Sequence, residues 1–127
     1  ACFIAEPILA SGGVIVPPKG YHRRTLGVCR KYDVLYISDE VVTGFGRLGE
    51  IFASEPVFDI VPDIITSAKG LTSGYVPLGA FFVSDRLYDR LTGEGSSGKY
   101  FTNGFTYSAH PVACAAALAS PRTCAAM

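Results

Sequence analysis

The pattern of apolar and polar positions changes period several times along the chain. Cys2-Phe3-Ile4-Ala5 is a short apolar run that reads as a strand and leads into Glu6-Pro7-Ile8-Leu9. Ser11-Gly12-Gly13 breaks it, Val14-Ile15-Val16 is a second short apolar run, and Pro17-Pro18 stops that one. Across residues 20–32 the pattern turns helical, with Tyr21, Val28, Cys29 and Tyr32 on one face, the expected core face. His22, Arg23, Arg24, Arg30 and Lys31 fall mostly off that face and read as its solvated side. The cations of the last turn also suit a helix carboxyl end. Val34-Leu35-Tyr36-Ile37 is the strongest strand signal, and it runs into Ser38-Asp39-Glu40 and a glycine-punctuated turn. An irregular stretch with Pro56 and Pro62 follows. Asp63-Ile64-Ile65-Thr66-Ser67-Ala68 is a further strand, ending at Lys69-Gly70. Residues 71–78 are turn-rich and Gly79-Ala80-Phe81-Phe82-Val83 is a strand. Ser84-Asp85 caps a short helix over 86–91, residues 93–98 form a mobile Gly/Ser loop, and 100–107 are mixed. Pro111 opens a last helix through Ala119. Strand, helix and strand in this order make a right-handed βαβ unit, so the fold class is α/β with a mostly parallel sheet.

Composition narrows the function classes. Eleven basic and eleven acidic residues cancel, which leaves no charge surplus for nucleic acid or an anionic membrane surface. The four cysteines contain no C-x-x-C pair, and His22 and His110 do not extend them into a zinc spacing. Reduced thiols in a cytoplasmic protein are the expectation. No apolar run approaches the length of a membrane span. The chain opens inside a strand-like run without an initiator Met and stops just after an Ala-rich helix, so it is expected to be a fragment.

Two phosphate-loop look-alikes fail on context. Gly44-Phe45-Gly46-Arg47-Leu48-Gly49 matches the dinucleotide fingerprint, but Pro56 arrives seven residues after the last glycine, too soon for the long helix the motif requires. Asp39-Glu40 would also set negative charge beside a pyrophosphate. The segment 93–99 spells G-x-x-x-x-G-K, but Tyr100 stands where a Ser or Thr should bind magnesium. Asp39 and Lys69 are the stronger pair. Each follows an apolar run, thirty residues apart, and neighbouring parallel strands would bring both to one carboxyl edge, where open α/β sheets bind ligands. A buried carboxylate facing a buried amine across a ligand is the pair that pyridoxal 5'-phosphate chemistry requires.

Five blocks, two of which contain Asp39 and Lys69, follow in order along the chain. They are Glu6-Pro7-Ile8 with Gly12-Gly13-Val14; Asp39-Glu40-Val41 with Thr43-Gly44-Phe45-Gly46-Arg47; Pro62-Asp63-Ile64 leading to Ala68-Lys69-Gly70; Pro77-Leu78-Gly79-Ala80; and Phe105-Thr106-Tyr107-Ser108 with His110-Pro111. In these blocks the chain resembles the class-III aminotransferases, pyridoxal-phosphate enzymes that include the ω-amino acid:pyruvate transaminases. The resemblance runs to about Ala119 and covers the middle of a family member. It implies the central part of the large domain of a fold-type-I transferase, with helices flanking the sheet. Residues 1–127 would form one partial domain, lacking the upstream phosphate loop and the C-terminal small domain, with an off-pattern tail at 120–127.

The resemblance also assigns roles. Lys69 would bind the cofactor aldehyde as a Schiff base and carry the proton in turnover, with a pKa depressed by burial. Asp39 would keep the pyridine nitrogen protonated. Val41, placed by strand alternation on the same face as Asp39, would pack on the ring. Thr106, after Phe105, would bond the cofactor phosphate of a neighbouring subunit, which implies a homodimer. Glu6 lies at a strand end on the substrate side, or is a structural acid bonding local backbone. Val42 replaces the glutamine of several amino-acid-specific branches, which favours ω-transaminases over γ-aminobutyrate or ornithine enzymes. The implied reaction moves an amino group from an amine or ω-amino acid to a keto acid such as pyruvate. An aminomutase or decarboxylase on the same scaffold would keep Asp39 and Lys69; a non-catalytic subunit is a further rival, against which Lys69, Asp39 and Thr106 together argue.

Overall fold

The computed structural model describes residues 1–93 and 104–124, with side chains through Ser120 in the last helix. Strand β1 is Cys2–Ala5, helix α1 is Tyr21–Lys31, β2 is Leu35–Asp39, β3 is Ile64–Ser67 and β4 is Ala80–Val83. Helix α2 is Asp85–Thr92 and α3 is Pro111–Cys124. The strands form one sheet in the order β1-β2-β3-β4. Phe3 pairs with Tyr36 and Asp39 with Thr66 in two parallel ladders, and Ile65 pairs with Phe82 in an antiparallel one. The mostly parallel sheet expected from the βαβ pattern is therefore present, closed by one reversed strand.

Alternation along β2 sends Tyr36 and Ser38 to a buried face and Leu35, Ile37 and Asp39 to the other. Tyr36, fully buried, joins Cys29 of α1 and Ile60 in the core, with Phe3, Leu26, Val34 and Phe58 packed around them. Helix α1 turns a different face inward from the one its aromatics suggest. His22 and Cys29 are buried with Thr25 and Leu26 half-buried, a spacing of i, i+3, i+4 and i+7, whereas Tyr21, Val28 and Tyr32 are exposed. His22 belongs inside because both ring nitrogens find buried partners there, Tyr36 Oη at 2.7 Å and the Pro7 carbonyl at 2.9 Å.

Three other local expectations change. Val14, Ile15 and Val16 are all exposed, and only Ile15 pairs, in a small bridge with Leu9. Ser84 precedes α2, but its hydroxyl makes no cap bond and is buried without a partner; the helix starts at Asp85. Helix α3 runs past Ala119 to Cys124. The Gly/Ser loop, its G-x-x-x-x-G-K segment and residues 100–103 lie outside the described residues, apart from Gly93 at the end of α2.

A buried acid closes the amino end of the sheet. The Asp63 carboxylate accepts the Tyr36 amide (2.8 Å), Arg30 Nη1 from α1 (2.6 Å) and Arg86 Nη2 from α2 (2.5 Å). Burial alone would raise this carboxyl. The amide and the two guanidinium groups outweigh it and hold Asp63 below the usual carboxylate range.

Candidate functional site

The carboxyl edge of β2 and β3 gathers the residues singled out by sequence. β2 ends at Asp39, whose ladder partner is Thr66; β3 ends at Ser67, and Lys69 opens a short 3-10 turn, Lys69–Thr72. Asp39 and Lys69 thus leave adjacent parallel strands on the same edge, as expected. The Asp39 carboxylate, half-buried, accepts the Val41 amide through Oδ1 at 3.1 Å. Val41 is beyond the strand, in a run of turns, so its position follows from that Asx-type bond and not from strand alternation.

Lys69 departs from its expected burial. Its backbone is left-handed, φ 42°, and its side chain is exposed. The reason is geometric: β3 stops two residues earlier, and the 3-10 turn lifts Lys69 off the sheet edge. A left-handed lysine stores on the order of 1–2 kcal/mol of strain, which neighbouring contacts must offset. The Gly74 amide donates to the Lys69 carbonyl at 3.0 Å, and Ser120 of α3 donates through Oγ to the Gly70 carbonyl at 3.3 Å. Gly70 itself presses on the preceding turn. A Cβ there would lie 2.9 Å from Phe45 Cβ, so a side chain would push the lysine turn away from the Gly44-Phe45 turn.

That second turn is built by Glu40, fully buried, whose role the sequence reading missed. Its carboxylate accepts Thr43 Oγ1 (2.9 Å), the Ala53 amide (2.9 Å), the Ser54 amide (2.7 Å) and Ser54 Oγ (2.6 Å). Ser54 Oγ also lies 2.8 Å from Ser38 Oγ. Since Ser54 has one hydroxyl proton and gives it to the carboxylate, Ser38 donates to Ser54. The period of two offers the signal: consecutive acids at a strand end point to opposite faces, so Asp39 and Glu40 cannot share a task. The turn then doubles back, with the Phe45 amide on the Ile51 carbonyl (2.7 Å) and Gly46 on Glu50 (2.9 Å). No helix opens at Gly49, which removes the structural basis of a dinucleotide fingerprint.

Lys69 and Gly70 line a cavity of about 390 Å³ with Thr43, Phe45, Arg47 and Val14. Asp39 and Val41 do not line this cavity. Glu6 accepts the Ala10 amide through Oε2 at 3.0 Å, the local backbone bond of its structural reading. Phe105 and Thr106 lie in an exposed turn, with the Phe105 amide donating to Ser108 Oγ at 2.8 Å; Phe105 is 86% exposed. Among the described residues no cluster of His, Cys, Asp or Glu could hold a metal ion, and no helix is long and apolar enough to cross a membrane.

Known proteins share both sequence and fold. An ω-transaminase from Thermomicrobium roseum, described as thermostable and (S)-enantioselective, superposes with a TM-score of 0.90 at 51% identity, over 99% of this chain and 27% of that one. An amine transaminase from an uncultivated Pseudomonas species, solved with pyridoxal phosphate bound, gives 0.89 at 48% identity, over 99% and 28%. A probable γ-aminobutyrate transaminase 2 of Oryza sativa subsp. indica is 52% identical over 93% of the chain, and an ω-aminotransferase of Caulobacter vibrioides 49% over 97%. The identity is nearly equal for both kinds, so it does not reproduce the preference that Val42 suggested. The chain spans about a quarter of the length of these relatives, 24% and 28%. The aminotransferase class-III model matches residues 1–126, and the chain belongs to that family.

Proposed function

We propose that this chain supplies the cofactor-binding edge of a pyridoxal-phosphate-dependent aminotransferase. The reaction moves an amino group from an amine or ω-amino acid to a keto acid such as pyruvate. The observation that carries the reading is the placement of Asp39 and Lys69 at the ends of adjacent parallel strands, with the lysine turn seated on the Gly44-Phe45 turn.

The residues present fit the cofactor. The edge offers a primary amine for an aldehyde and an ionisable carboxyl for a pyridine nitrogen. Pyridoxal phosphate, when bound, supplies an electrophilic aldehyde and an electron-withdrawing ring. Lys69 would hold that aldehyde through Nζ, and its amine would move a proton to and from the substrate carbon that bears the amine. Asp39, its carboxylate fixed by the Val41 amide, would keep a proton on the ring nitrogen. Val41 would pack against the ring. Thr106 donates to a phosphate held by a neighbouring subunit, for which its exposed turn is suited, and the protein is a homodimer. Cover over Lys69 comes from parts of the protein beyond this chain, which would supply the low dielectric that an amine nucleophile needs. Free Cys2, Cys29 and Cys114 fit a reducing compartment such as the cytoplasm.

The test is a turnover assay on the full-length protein with pyridoxal phosphate, an amine donor and pyruvate. Stoichiometric alanine supports transamination. Release of carbon dioxide, or an amino group moved within one substrate, would replace this reading with a decarboxylase or aminomutase.

A further inference from the structure

His22 is 4% exposed and bonds both β2 and the segment that follows β1 beyond the end of their shared ladder. Its Nε2 lies 2.9 Å from the Pro7 carbonyl and its Nδ1 2.7 Å from Tyr36 Oη. A carbonyl only accepts, so Nε2 carries the proton. In the neutral ring Nδ1 is then bare and accepts the Tyr36 hydroxyl, and all three groups are satisfied. The opposite tautomer would set two lone pairs against each other at Pro7. Phe58 and Tyr21 flank the ring edge-on at centroid distances of 5.2 and 5.1 Å.

The two segments so joined matter to the site. Tyr36 is in β2, the strand that ends at Asp39. Pro7 follows Glu6 directly beyond β1, and the Glu6 carboxylate in turn holds the Ala10 amide at the base of the Leu9–Ile15 bridge. Val14 of that small hairpin and Ala10 both line the cavity that Lys69 enters. The tip of the hairpin is open: Val14, Ile15 and Val16 are exposed and its sheet pairing is a single bridge.

We propose that His22 is a positioning residue. Its Nε2–H form ties the Glu6–Pro7 segment, and with it one wall of the lysine cavity, to the strand that carries Asp39. The proposal rests on the aminotransferase reading for its effect on turnover and on the hydrogen-bond geometry alone for its effect on the segment.

The full-length protein serves for the test, with two variants. His22→Phe keeps ring volume and loses both bonds. His22→Gln keeps an amide that can donate to Pro7 and accept from Tyr36. Cofactor-free protein gives the first readout: amide exchange across residues 8–15 should quicken at least tenfold in H22F and return to within threefold of the parent in H22Q. Turnover gives the second: KM for the amine should rise about tenfold in H22F with kcat within twofold, and H22Q should recover most of it. Unchanged exchange in H22F, or H22Q as poor as H22F, overturns the proposal, and so does a loss of kcat at constant KM. Where H22F does not fold, selective 15N-histidine spectra of the parent decide, the His22 signals being assigned by their loss in H22Q. A protonated Nε2 with a bare Nδ1 supports the tie, and the reverse overturns it. If the parent protein does not transaminate, the aminotransferase reading fails, while exchange and tautomer still decide the role of His22.

Discussion

Asp39 and Glu40 are neighbours with opposite surroundings. Asp39 faces the open edge with a single backbone donor on Oδ1, and Glu40 is enclosed by four donors from Thr43, Ala53 and Ser54. Their tasks therefore separate under mutation. In the full-length protein Asp39→Asn keeps shape and removes the charge that, on the proposed function, would retain a proton on the ring nitrogen. Turnover should fall by roughly a hundredfold or more, a few kcal/mol at the transition state, with little change in melting temperature. Glu40→Ala should do the reverse in order of cause. It strands the Ala53 and Ser54 amides in the interior at roughly 1–3 kcal/mol each, so a denaturant midpoint should shift before any kinetic constant is considered. A Glu40→Ala protein as stable as the parent would mean that water replaces the carboxylate without loss.

At the scale of elements, the strands were legible because their signals are local. Apolar runs bounded by Pro, Gly and acids mark β2 and β3, and parallel order follows from the helix between β1 and β2. The carboxyl edge with Asp39 and Lys69 was legible for the same reason. The inward face of α1 was not. The aromatic residues Tyr21 and Tyr32 outweighed His22 in a hydrophobic count, yet the pocket beneath the helix offers a phenol and a carbonyl that call for a side chain with both a donor and an acceptor. The exposure of Lys69 in this chain was not legible, because a strand run does not reveal the 3-10 turn that follows it. Asp63 was legible only as part of a motif. In the fold it joins α1, α2 and β2, and its lowered pKa carries a pH signature. Because the folded value is below the unfolded one, its stabilising contribution is complete at neutral pH. It is lost as pH falls below about 4 and through the folded value. Asp63→Asn should cost about 2–3 kcal/mol at pH 7, less than a fully enclosed pair because both arginines are about half open to water. Chemical denaturation at stepped pH should show parent and variant converging in acid.

At the scale of the molecule, much apolar surface faces outward. Tyr75 is 88% exposed, Phe105 86% and Tyr107 82%, and both β1 and β4 are sheet edges. Exposed aromatics and open strand edges invite association. With about a quarter of the length of its relatives and an exposed Lys69, the 127-residue chain alone should bind cofactor weakly at best and show no transamination. A pyridoxal phosphate titration followed by amine and pyruvate checks this. Steady alanine production by the isolated chain would show that these residues suffice.

The central claim is that Lys69 is the amine that holds the cofactor, and covalent mapping tests it most directly. The full-length protein is loaded with pyridoxal phosphate, reduced with borohydride, digested and sequenced by mass. The account predicts the reduced pyridoxyl group on the peptide carrying Ser67-Ala68-Lys69-Gly70, and its loss together with turnover in Lys69→Ala, with the fold retained by circular dichroism. A label on Lys31 or Lys99 instead, or undiminished turnover in Lys69→Ala, would contradict it.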